Sequence, residues 1–544
     1  MAALVGGAAT IGSFVEALAA GPKVTIDSGN IEGKALPSGA RAYLGIPYAP
    51  PPVRENRWRD PQSVTPWQGV YHADRFAPDC IQGLRGTTQN HYFGQNATSE
   101  DCLYLNVWAG KAAHIGAKLP VMVWIYGGGF ATGSASMAMY SGESLAKKGV
   151  VYVSFNYRTG PFGFMAHPEL TAESPHHASG DYGFLDQVAA LKWVKRNIAR
   201  FGGDPNNVTI VGQSAGSMSV SALDASPLAR GLFHRAVGMS GSVFDAPGGI
   251  GGMPLLDQGE KDGLALQAAL KVDSLNAMRQ VPADRIFNVQ GIRYWPIVDG
   301  YFMPQKPRDI FAAGKQNDAA LLIGFTRDES FSPLASAATP EAYETAVRHM
   351  YGDKSTEFLK DYPALSADWH RNAMNAGRDT SVALMMWNWA RMQSRTGKAP
   401  VYAYMFARMH PYAPGVVFSD HDPIKAGVYH ASDIAYWLDT LGSLNLFRKT
   451  RDWTSYDRQL ADEMSNMIVN FARTGNPSIS DVAVPKYDTA DPRLVELGET
   501  IHPIAWPERE YMPFLDTLSP APRTVPAATA TSAAAQSPAP LPRD

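Results

Sequence analysis

Cysteine, a surplus of basic charge, long apolar runs and internal repeats are scarce or missing in this sequence. Only two cysteines occur, Cys80 and Cys102, and their spacing matches no zinc-ligand pattern. Against 51 acidic residues stand 48 basic ones, a formal charge of −3, which excludes the basic footprint of a nucleic-acid-binding protein. No stretch reaches the roughly 18 uninterrupted apolar residues that a membrane span needs. No internal repeat is present. Neither a metal nor a cofactor is implied.

What is present is a chain of 544 residues with 45% apolar content, enough for a large core in one big α/β domain or in several smaller ones. Short strand patterns lie at 24–26, 29–33 and 41–46, joined by glycine turns, and predict an antiparallel lead-in to a sheet. The runs 103–108, 121–126 and 150–155 are nearly continuous in apolar residues, as strands buried on both faces are. Leu185, Val188, Leu191, Val194 and Ile198 recur at helical spacing and lead into a strand at 208–211. Further strands are expected at 319–325 and 401–406. Leu460, Met464, Ile468 and Phe471 then form one helix face, with Thr454 as its cap and Gly475 past its end. Strand, helix and strand alternate throughout. Two stretches, 244–310 and 332–400, break that alternation and are expected to build pocket walls.

Both ends differ from the middle. Residues 1–20 form a Gly/Ala-rich run without a basic residue that closes in Ala17-Leu18-Ala19-Ala20, like an export signal that has lost its basic start. Residues 21–518 read as the catalytic domain, and 519–544 as a disordered Pro/Ala-rich tail. The expected location is the periplasm or the exterior. Cys80 and Cys102 are then either a disulfide worth about 3 kcal/mol in an oxidising compartment, or two thiols in a reducing one.

The chemistry centres on Gly212-Gln213-Ser214-Ala215-Gly216, which directly follows the apolar run 208–211. In a Gly-x-Ser-x-Gly turn the serine is held in a strained conformation with its hydroxyl projecting, so its neighbours must be small. Such a serine needs a base, an orienting acid and donors for an oxyanion. His430 is the candidate base, because it follows the 401–406 strand and precedes the apolar Ile434, Tyr436 and Trp437. His421, between Asp420 and Asp422, reads instead as an exposed acidic turn. Asp328 and Glu329 both lie just beyond the 319–325 strand, where open α/β sheets gather their sites, and the pattern alone does not choose between them. Gly127-Gly128-Gly129 after the 121–126 run offers consecutive N–H groups, and with Ala215 the N–H groups of Gly128 and Gly129 would make a three-donor oxyanion hole.

These residues resemble the type-B carboxylesterase/lipase family, over roughly residues 24–514. The resemblance rests on Tyr43-Leu44-Gly45-Ile46-Pro47-Tyr48-Ala49 with Arg57-Trp58, on Ser99-Glu100-Asp101-Cys102-Leu103-Tyr104-Leu105-Asn106, and on Asp186-Gln187, Phe201-Gly202-Gly203-Asp204-Pro205 and Ser240-Gly241. It implies an α/β-hydrolase fold, with a large, mostly parallel central sheet flanked by helices. It also implies a Cys80–Cys102 disulfide, an Arg57–Glu100 pair, and Glu329 rather than Asp328 as the acid. His430-Ala431-Ser432-Asp433 is similar to the family's His-Gly-x-Glu/Asp, so Asp433 would support the base from behind. Three departures stand out: Gln213 where Glu is usual, and Ser330 and Ala431 where glycines are usual. The implied activity is ester hydrolysis through an acyl-enzyme, on bulky or aromatic esters if Tyr294, Trp295, Phe331, Trp387 and Trp437 face the pocket. A non-catalytic binding protein, or an acyltransferase or amidase using the same triad, is the alternative. The oligomeric state is not readable.

Overall fold

The computed structural model describes residues 21–94, 96–248 and 252–518, so the signal-like segment 1–20 and the tail 519–544 lie outside the described residues. Its centre is a sheet of eleven strands among the described residues. In spatial order they are Ile501–Ala505, Arg493–Leu497, Val401–Phe406, Ala320–Thr326, Arg235–Met239, Gly203–Gln213, Leu119–Ile125, Val151–Phe155, Tyr104–Ala109, Arg41–Pro47 and Lys34–Ala35. From Arg493–Leu497 across to Val151–Phe155 every pairing is parallel, and the pairings outside that block are antiparallel.

The apolar runs explain the parallel block. Every residue of Ala320–Thr326, Val401–Phe406 and Val151–Phe155 is buried, which requires cover on both faces of the sheet. Helices Tyr182–Asn197, Ala215–Ala225, Leu384–Thr396 and Ser455–Thr474 supply that cover. The last of these starts in a capping box between Thr454 and Asp457 and stops at Gly475, whose φ of 80° is the left-handed conformation that ends helices.

One expectation needs correction. Lys23–Ile26 and Gly29–Glu32 do not join the central sheet; they pair with each other and with Val70–His72 as a separate three-stranded sheet. Lys23–Ile26 is buried only at Ile26, so this small sheet lies on the surface, and alternation alone could not name its partner. Arg235–Met239 is a central strand that the sequence reading did not include, because its five residues begin with a half-buried arginine and include Gly238.

The long stretches fold as helices: Leu256–Leu270, Leu275–Gln280, Ala283–Phe287 and Pro307–Ala312 in the first, and Pro340–Tyr351, Ser355–Asp361, Trp369–Arg378 and Leu384–Thr396 in the second. Between the last two lies a π-helical turn, Asp379–Ala383. Cys80 and Cys102 are joined in a disulfide, with Cα atoms 5.0 Å apart. Arg57 grips Glu100 with two bonds of 2.6 Å, and Arg158 grips buried Asp186 at 2.8 and 2.7 Å.

Candidate active site

Four parallel strands, Leu119–Ile125, Gly203–Gln213, Ala320–Thr326 and Val401–Phe406, are each followed by a segment that carries part of one site. Ser214 stands at the end of Gly203–Gln213 with φ 58° and ψ −126°, and helix Ala215–Ala225 starts at the next residue. The turn is tight enough to dictate its neighbours. A Cβ on Gly216 would lie 2.1 Å from the Ile125 carbonyl oxygen, so only glycine fits there. The Ser214 N–H donates to Met239 O at 2.8 Å, which ties the turn to the adjacent strand.

The glycine run lies against that turn. A Cβ on Gly127 would come within 2.5 Å of Gln213 O and 2.9 Å of Ser214 Cβ, so the missing side chain is what allows the approach. Gly128 and Gly129 follow with φ of 115° and 63°. The N–H groups of Gly128, Gly129 and Ala215 donate to no protein group among the described residues, so they are free to donate to an anionic oxygen. Phe130 anchors the run from behind, buried against Phe164, Phe184 and Trp295.

Glu329 is buried beyond Ala320–Thr326. One carboxylate oxygen accepts the Thr326 N–H at 2.7 Å, and the other is bonded to His430 Nδ1. Because a carboxylate only accepts, His430 carries a proton on Nδ1. Its Nε2 lies 3.1 Å from Gln213 Nε2, an amide nitrogen that only donates, so the ring nitrogen accepts there, and among the described residues Ser214 Oγ makes no hydrogen bond to it. Phe331 packs edge-on against the imidazole at 4.9 Å, and its N–H is held at 3.2 Å by Ser381 Oγ of the π-turn. Ala431, next to His430, has φ 71°.

The structure separates the two acids that the residue pattern alone left level. Glu329 meets the histidine, whereas Asp328 braces the loop before it: Asp328 Oδ2 accepts the Val428 N–H at 2.8 Å and the Asp328 N–H donates to Val428 O at 3.1 Å. Burial would raise the Asp328 carboxyl, but Arg327 and the Val428 N–H hold it below its ordinary value. Asp433 makes no hydrogen bond to His430 among the described residues and takes one from Tyr404 OH at 2.7 Å. Burial, together with the Glu329 charge, pushes Asp433 up to about 6, against the pull of Tyr404.

His421 is not the exposed turn residue its sequence suggested. It bonds to Tyr412 OH and packs 4.5 Å from the Tyr429 ring. Behind the His430 loop lies a polar array with no sequence signal. Fully buried Arg451 donates to His410 Nδ1 at 3.0 Å, to Asn90 Oδ1 at 2.6 Å and to Tyr429 OH at 3.1 Å. His410 Nε2 in turn holds Ser432 O at 2.8 Å, and His91 meets Tyr429 OH at 3.2 Å. Burial and the Arg451 charge keep His410 well below the usual imidazole value, and burial takes His91 down to about 3. Of the aromatics expected in the pocket, Phe331 touches His430 and Trp295 touches Phe130. Trp387 and Trp437 are core, against Trp506 and Tyr404. Tyr294 packs at the edge of the core.

The family model of the carboxylesterase family matches residues 20–506. The fumonisin B1 esterase of Sphingopyxis macrogoltabida is 35% identical over 477 residues, covering 83% of this chain and 81% of that one. The para-nitrobenzyl esterase of Bacillus subtilis (strain 168) is 33% identical over 480 residues, covering 85% and 92%. A solved PNB esterase structure superposes with a TM-score of 0.76 at 31% identity, covering 92% of this chain and 99% of that chain. The chain belongs to the carboxylesterase family, has the α/β-hydrolase fold and is a carboxylic ester hydrolase.

Proposed function

We propose that this carboxylesterase works through an acyl-enzyme formed on Ser214, with His430 as general base and acid and Glu329 as the group that orients it. Ser214 Oγ attacks the ester carbonyl while His430 Nε2 takes its proton. Collapse of the tetrahedral intermediate returns that proton to the leaving alcohol, and water repeats the sequence to release the acid. Gly128, Gly129 and Ala215 N–H groups hold the oxyanion, each such donor being worth about 3 kcal/mol in comparable sites. The observation that carries this reading is the Glu329–His430 bond, formed beside a serine held at φ 58°. Ser214→Ala should abolish turnover of p-nitrophenyl esters and labelling by a fluorophosphonate while leaving the thermal transition in place. A variant with wild-type turnover sinks the assignment.

For the substrate we infer bulky or aromatic esters, such as toxin or xenobiotic esters. The support is Phe331 against His430, Trp295 behind the glycine run, and relatives named for fumonisin B1 and para-nitrobenzyl esters. A higher kcat/KM on short acyl esters than on any bulky ester refutes this. We further infer export to an oxidising compartment, supported by the Cys80–Cys102 disulfide. Protein from its native host should show no maleimide-reactive thiol after denaturation, and two reactive thiols per chain would overturn it.

A further inference from the structure

We propose that Gln213 is a positioning residue that holds the resting base in its neutral form, by donating from its amide to His430 Nε2, and that it must release this bond before Ser214 can be activated. The inference rests on the assignment of His430 as the base and goes beyond it, to how that base is kept before substrate arrives. The state of the ring follows from the atoms that meet. The Gln213 atom 3.1 Å from Nε2 is the amide nitrogen, which only donates, so Nε2 meets it with a lone pair, and Nδ1, bonded to the Glu329 carboxylate, carries the ring's proton.

An imidazole nitrogen has one in-plane lone pair and accepts one good hydrogen bond. Gln213 uses the same lone pair that Ser214 Oγ needs, so the two side chains compete for it although they are adjacent in sequence. A donor bond to the lone pair also stabilises neutral imidazole over imidazolium, which lowers the affinity of the base for a proton. A carboxylate at the same place could only accept, and would favour the imidazolium instead. Gln213 therefore sets the protonation of the resting base as well as its position. Once the imidazolium forms, the amide has to turn its oxygen to Nε2–H or leave it.

The charged and titratable groups around His430 are Glu329 on the turn after Ala320–Thr326, Asp433 on its own loop, and His91 from the disulfide loop with Arg451 behind it. All four are unchanged by substitution at 213, so a difference between variants reports on Gln213 itself.

The test is the pH dependence of kcat/KM on a p-nitrophenyl ester for wild type, Gln213→Met and Gln213→Glu. The methionine variant keeps the length of the side chain and removes the donor, and its acid-limb midpoint is expected to move up by about half a unit. The glutamate variant should move up by about one unit or more, because an ionised acceptor favours imidazolium. Where turnover is too slow to follow, the pH dependence of fluorophosphonate labelling gives the same midpoint. Midpoints that stay in place or move down in both variants, even with a lower rate, overturn the proposal, because a purely structural glutamine would change rate alone. Ser214→Ala with wild-type activity would instead overturn the underlying assignment.

Discussion

Asp328 and Val428 exchange two hydrogen bonds, at 2.8 and 3.1 Å, and so tie the turn that carries Glu329 to the loop that carries His430. Glu329 and His430 are thus registered by their neighbours as well as by each other. Asp328→Ala removes the side-chain half of that tie and leaves the Val428 N–H without a protein acceptor. A displacement of about 1 Å at the reacting groups costs on the order of 100-fold in rate. We expect kcat to fall by about 10- to 100-fold with KM changed far less, and Asp328→Asn, which keeps an acceptor oxygen, to retain most of the rate. Equal kcat in wild type and Asp328→Ala would show that the loop is held by other contacts.

Asp433 makes stability depend on pH in a direction opposite to that of a salt-bridged carboxylate. Its carboxyl is raised from the ordinary 3.8 to about 6, chiefly by burial. Between those values the folded chain holds a proton that the unfolded chain has released. Stability therefore falls as pH rises from about 4 to 6, and the deficit persists above, with an upper bound of roughly 3 kcal/mol. Asp433→Asn can still accept from Tyr404 and carries no charge. Its Tm should exceed that of wild type above pH 6, and the difference should close towards pH 4. A constant offset across that range would refute the burial account.

The serine turn was legible because its constraint is local: a buried strand, two glycines and a helix start lie within one short stretch. The choice between Asp328 and Glu329 was open in the residues themselves, since adjacent carboxylates after one strand have the same pattern, and their division of work depends on where Val428 and His430 arrive. Arg451 and Asn90 are 361 positions apart and meet only in the folded chain, so neither carried a signal. The small sheet at Lys23–Ile26 was assigned to the wrong partner for a related reason: alternation reports which face is buried and not what lies beside the strand.

Ala431 pairs a Cβ with a φ of 71°, beside His430. The left-handed conformation costs an alanine about 1–2 kcal/mol over the right-handed one, and glycine is nearly free of that cost. Part of the gain from Ala431→Gly is offset by the larger conformational freedom of glycine in the unfolded chain, about 0.4–1 kcal/mol. The net expectation is a stabilisation of about 0.5–1 kcal/mol in denaturant unfolding, with kcat no higher than wild type, because the loop holding His430 gains freedom. A less stable glycine variant would mean that the Ala431 methyl makes contacts worth more than the backbone strain.

His91 gives the opposite pH dependence to Asp433 over an overlapping range. Its imidazole is lowered from 6.5 to about 3, first by burial and then by the Arg451 charge. Below pH 6.5 the unfolded chain takes up a proton that the folded chain refuses, so this contribution is fully present above 6.5 and is lost as pH falls towards 3. The loss is about 1.4 kcal/mol per pH unit within that window. His91→Gln removes the titration and can keep a bond to Tyr429 OH. At pH 8 it should be less stable than wild type by about 1 kcal/mol, the usual worth of one altered hydrogen bond. As pH drops from 6.5 to 4.5 its Tm should fall less steeply than that of wild type, so the two curves cross. Since Asp433→Asn steepens the acid loss and His91→Gln flattens it, the two variants should bracket the wild-type slope between pH 4.5 and 6. Parallel curves for all three would mean that neither group keeps its buried protonation state in the folded protein.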